Sequence, residues 1–61
     1  MDVATLAKLL REAAERHHHY EQVAPEHDWA EWYAPYITAR ERGSTPNEAA
    51  DAAGRYVEGV H

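Results

Sequence analysis

The sequence predicts an all-α protein, a compact antiparallel three-helix mini-bundle in which residues 1–61 form a single domain. Three observations carry this. Runs rich in Ala, Leu, Glu and Arg, all good helix formers, occupy both ends of the chain. Apolar residues within them recur at helical spacing, with no alternating strand pattern. Helix-start signals precede each run: Asp2, Asp28 with Glu31, and Thr45-Pro46-Asn47-Glu48.

The first helix is expected over residues 3–23. Asp2 serves as its N-cap, and Pro25 ends it by disfavouring the helical region for Ala24. At 100° per residue, Val3, Leu6, Leu10, Ala13, Ala14 and Tyr20 gather into one stripe, with Leu9 and Ala7 at its margins. Arg11, Glu12, Glu15 and Arg16 fall on the opposite side. The second helix, residues 29–42, opens with a capping box. Asp28 accepts from the amide three residues on, Glu31 reaches back, and His27 staples against Trp32. Trp29, Trp32, Tyr33, Tyr36 and Ala39 then share one broad face, with Ile37 at its margin. Pro35 removes one helical hydrogen bond on the outward side, so a kink is expected there, the alternative being two shorter helices meeting at Ala34. Gly43 stands where a left-handed cap would close this helix. The third helix, residues 46–58, starts at a capping box with proline in its first turn. Its buried side carries Ala49, Ala50, Ala53, Tyr56, Val57 and Val60. Gly54 weakens it or permits a close helix crossing.

Composition narrows the function. Sixty-one residues lie near the lower size limit for folding without a disulfide, metal or partner. No cysteine is present, which excludes disulfides and thiolate metal sites. A formal charge of -5 without a basic stripe argues against nucleic acid or an anionic membrane surface as partner. No apolar run approaches the roughly 20 residues of a membrane span, and no signal-peptide pattern appears, so a soluble cytoplasmic protein is expected.

Chemistry-bearing residues concentrate between His17 and Tyr36, which holds both tryptophans and four of the five histidines. His17 projects into the apolar stripe, and Glu21 follows it by four residues on the same face. His27, after the turn, can fold back over them. Two imidazoles and a carboxylate suit a divalent metal such as zinc or iron. The reading these residues favour over a metal site is a buried His17–Glu21 pair covered by the Trp and Tyr rings, with His27 as a staple. Glu15 and His18 match the Glu-x-x-His pattern of di-iron bundles, but the further inward carboxylates such a site needs are lacking. Trp29, Trp32, Tyr33 and Tyr36 provide either a core or a partner-binding face. No serine or threonine stands in a nucleophile–base arrangement, so no catalytic residue and no organic cofactor site is assigned.

Several of these pieces also carry a resemblance: Leu9-Leu10-Arg11-Glu12-Ala13, His17, Tyr20-Glu21, His27-Asp28-Trp29, Trp32-Tyr33-Ala34, Tyr36-Ile37 and Gly43 through Ala50. Together they resemble a short helical module that follows a glyoxalase/bleomycin-resistance-like (vicinal oxygen chelate) domain in actinobacterial-type proteins, and that also occurs as small free-standing proteins. The resemblance implies no activity, because the metal ligands and pocket of those enzymes belong to a βαβββ domain that this sequence lacks. Ala30, where relatives tend to carry an aromatic, and Pro35 depart from the pattern. The function expected is a non-enzymatic module that binds another protein or itself. The rival classes are a metal- or ligand-binding protein using His17, Glu21 and His27, and an accessory subunit of an enzyme on another chain.

Overall fold

A computed structural model describes residues 1–21 and 28–60, the side chains of Glu21 and Val60 excepted. Three helices follow in order: α1 (Val3–Glu21), α2 (Trp29–Glu41) and α3 (Pro46–Val60). Residues 22–27, and with them the expected end of the first helix at 23 and the His27 staple, lie outside the described residues. The third helix runs two residues beyond its expected end at 58.

The helix ends follow the sequence signals closely. Asp2 Oδ1 accepts from the Thr5 amide at 2.8 Å, the N-cap bond of α1. Thr45 and Glu48 form the reciprocal capping box, with bonds of 3.2 and 2.9 Å. Asp28 caps α2 through the Ala30 amide, two residues on rather than the expected three. At the other end of α2 the Gly43 amide donates to Arg40 and the Ser44 amide to Ala39. That pair of bonds is a Schellman motif, and Gly43 adopts the φ of +99° that it requires. α2 continues unbroken through Pro35, so it is one helix, not two meeting at Ala34.

α2 is central and packs against both other helices. His17 and Tyr20 of α1 meet Trp32 near the start of α2, while Glu12 meets Arg40 in its last turn, so α1 and α2 are antiparallel. The core is Ala13 from α1, Trp32 and Tyr36 from α2, and Ala49, Ala53 and Val57 from α3, with Tyr20, Tyr33, Ile37, Ala39 and Ala50 packed around it. Two tryptophan- and tyrosine-sized side chains thus fill a space that the facing alanines leave open.

The face of α1 differs from the expected one. Its inward row is Leu9, Ala13 and His17, whereas Leu6 and Leu10 are about two-fifths exposed and Val3 almost fully so. The buried row is centred on Leu9 and Ala13 instead of Leu10, a rotation of less than one residue step, while Val3 and Leu6 lie in turns that extend past the end of α2. Trp32 and Tyr36 reach across to α1 and select the narrow Ala13 as the place of closest approach. On α3, Tyr56 is half exposed instead of buried.

Gly54 lies where α3 passes α1, and a Cβ there would stand 3.4 Å from Tyr20 Cε1, at the near edge of ordinary contact. Gly54→Ala is therefore expected to stabilise the protein by up to about 1 kcal/mol through helix propensity alone. A lowered Tm in that variant would show that the Tyr20 ring cannot yield.

Candidate functional site

The aromatic residues of α2 recur at i, i+3, i+4 and i+7, which aligns them along one side of a helix. The tertiary structure divides that side in two. Trp32 and Tyr36 stack at 5.0 Å between ring centroids, 17° from parallel, and are fully buried. Tyr33 is half-buried, and Trp29, 62 % exposed, meets it edge-on at 5.3 Å. Of the four rings expected to form a partner-binding face, Trp29 and Tyr33 are the ones that reach the surface.

His17 is buried against this cluster, 5.3 Å from both Trp32 and Tyr33 in near edge-to-face geometry. Of the three expected metal ligands it is the one whose side chain is described; the Glu21 side chain and His27 lie outside. Among the described residues no group of three His, Asp or Glu side chains could hold a metal ion. Glu15 and His18, the di-iron-like pair, are both exposed. Trp32 Nε1 is buried without a hydrogen-bond partner among the described residues, at a cost of about 1–3 kcal/mol.

A polar cluster that the sequence reading places elsewhere joins α1 to α2. Glu12, expected on the outer side of α1, accepts from the Tyr36 hydroxyl at 2.6 Å and from Arg40 Nε at 2.7 Å. Arg40 also donates to the Ser44 carbonyl at 2.9 Å, tying the cluster to the end of α2. The arginine and then the phenol hold the Glu12 carboxyl below its usual range. Burial first, and the neighbouring carboxylate second, push the Tyr36 hydroxyl up to about 12. A phenol so held keeps its proton at neutral pH and donates a structural hydrogen bond. The signal in the sequence was the Tyr36–Arg40 pair at i, i+4, together with Glu12 flanking Leu9 and Ala13. It becomes legible only once Leu9 rather than Leu10 centres the buried row.

Among the described residues, open grooves flank the core. One, of about 330 Å³, is lined by Arg16, His19, Tyr20, Trp32 and Ala50. Another, of about 380 Å³, lies between α2 and α3. The fold and these features define a small three-helix protein with an aromatic core and no helix long and apolar enough to cross a membrane among the described residues. No protein-family model, curated protein or solved structure matches the chain.

Proposed function

We propose that the chain is a non-enzymatic helical module that binds another protein or itself. The observation that supports this most is the row Val3, Leu6 and Leu10. Helical periodicity marks these residues for burial, yet the chain's own core leaves them exposed. Because Glu12 meets the last turn of α2, the first turns of α1 run beyond the body of the bundle and present this row freely. Trp29 adds an exposed ring at the opposite end of α1, of the type enriched in protein interfaces. The resemblance to an extension following a vicinal oxygen chelate domain suits such a role, including that of an accessory module beside a catalytic unit on another chain.

The test is capture from the source lysate with wild-type protein and with the Leu6→Glu/Leu10→Glu variant. The variant is expected to keep its helical circular dichroism and lose the captured protein. Identical capture by both, or no capture by either together with a purified chain that sediments as a monomer, overturns the proposal.

The burial of His17 favours a second reading, a zinc or iron site with Glu21 and His27. Metal retained stoichiometrically after dialysis, and lost in His17→Gln with helicity kept, is the expected result on that reading. Metal-free protein after incubation with either ion overturns it.

A further inference from the structure

The geometry points to a site for a small aromatic carboxylate in the groove between α1 and α3, its ring on Tyr20 and its carboxylate on Arg16. Arg16, His19 and Tyr20 stand at i, i+3 and i+4, so α1 turns all three to one side. Ala50 of α3 forms the facing wall, and the buried Trp32 of α2 lies beneath. The groove, of about 330 Å³, is at the small end of the range of about 300–1,000 Å³ for ligand sites, which suits a single ring with a short side chain. Its apolar surface is aromatic: Tyr20 is half-buried and meets Trp32 at 5.9 Å between ring centroids, their planes 37° apart. A flat ring gains more on such a floor than an alkyl chain of equal area, since aromatic pairs in offset or tilted geometry interact beyond their buried area. Arg16 precedes Tyr20 by one turn, about 6 Å along the axis, so a carboxylate set a bond or two off the ring reaches it. The groove shares no residue with the exposed row of α1, and this inference stands apart from the interaction-module reading.

Charge selects the acid. The lining carries Arg16 and His19 and no carboxylate. Arg16 donates from Nη1 to the Asn47 side-chain oxygen at 2.8 Å, which fixes the guanidinium between α1 and α3 on a neutral partner. Arg40 and Arg55, by contrast, are ion-paired with Glu12 and Asp51. The carboxylates around the groove are engaged elsewhere: Glu12, whose charge Arg16 feels, with Tyr36 and Arg40, Glu48 with the Thr45 amide, Asp51 with Arg55. Glu15 is exposed, and Glu58, whose charge reaches the Tyr20 hydroxyl, stands roughly two turns beyond Ala50 on α3, away from Asn47. A guanidinium so placed keeps N–H groups for a carboxylate, the partner its planar fork matches. His19 adds an exposed imidazole at the rim. An aromatic acid therefore fits where an amine or a neutral ring does not.

Titration of the isotope-labelled chain with cinnamate, followed by heteronuclear NMR, is expected to show saturable binding with a dissociation constant of about 1 mM or tighter. The amides of Arg16, His19, Tyr20 and Ala50 and the Trp32 indole N–H are expected to shift, while the indole N–H of Trp29, outside the groove, stays in place. Cinnamamide, equal in shape but uncharged, is expected to bind about tenfold more weakly, the loss of one charge-assisted contact. Arg16→Gln keeps a donor for Asn47 and removes the charge. It is expected to weaken cinnamate about tenfold and leave cinnamamide unchanged, a split that a merely structural defect would not produce. No saturable shift up to about 10 mM, equal binding of acid and amide, or shifts confined to other parts of the chain overturns the inference. So does an Arg16→Gln variant that binds the acid as wild type does. The acid–amide comparison needs wild-type protein alone, so it decides the outcome even where Arg16→Gln does not fold.

Discussion

Trp32→Ala is expected to unfold the protein at room temperature. The side chain is fully buried, stacks on Tyr36 and contacts His17 and Tyr20 of α1. It is therefore the piece that α1 packs upon. Removing a buried tryptophan costs about 3–5 kcal/mol, comparable to the whole stability of a domain this small. The facing residues are Ala13, Ala49 and Ala53, which cannot extend to fill the void. Trp32→Phe is the informative control. It keeps most of the ring area and deletes an indole N–H that has no described partner, so a folded protein with a smaller loss is expected. Chemical denaturation of the three proteins, followed by circular dichroism at 222 nm, reads both effects. A cooperative transition in Trp32→Ala close to that of wild type would sink this account of the core.

Glu12→Ala carries the second largest expected effect, a loss of about 2–3 kcal/mol. The substitution strips a charge-assisted partner from Tyr36 and from Arg40 together, in a half-buried setting. It also changes the pH dependence in a defined direction. The folded-state carboxyl lies below its usual 4.5, so Glu12 contributes stability above that value and loses it as pH falls through the depressed one. Glu12→Ala should therefore show a shallower fall in stability at acid pH. Tyr36 acts at the other extreme. Its hydroxyl ionises near 10 in the unfolded chain but only at about 12 in the folded one, so stability drains away as pH rises between these values. Tyr36→Phe should reduce the alkaline loss, the part due to Tyr20, whose hydroxyl burial also pushes up, remaining. Unfolding midpoints measured from pH 3 to 11 test both limbs, and parallel curves for wild type and Glu12→Ala at acid pH would refute the assignment.

The two experiments bear on different kinds of information. Helix number, order and starting points were legible in the sequence because their causes are local. Asp2 and Thr45 with Glu48 act within one turn, as does Gly43 with its left-handed backbone, and each performs the bond its position predicts. The aromatic spacing on α2 likewise determined that those rings share one side. That His17 would turn inward was also legible, since it falls within the apolar stripe of α1.

Which part of each apolar face is buried was not legible, because that depends on the shape of a neighbouring helix. Helical periodicity alone centres α1 near Leu10, but the thickness of Trp32 and Tyr36 requires a small residue opposite them, and Ala13 is the one that fits. The resulting rotation brings Leu9 and Glu12 inward and turns Leu10 out, while Val3 and Leu6 are exposed because the first turns of α1 extend past the end of α2. Tyr56 is displaced in the same way, since Ala49, Ala53 and Val57 suffice to fill the α3 side of the core. The sequence by itself determined three capped helices and an aromatic centre, through bonds spanning three or four residues. The tertiary structure decided the Glu12–Tyr36–Arg40 cluster, because it follows from side chains meeting across helices 24 to 28 residues apart in the chain, and the exposure of Val3, Leu6 and Leu10, because that depends on where α1 passes the end of α2.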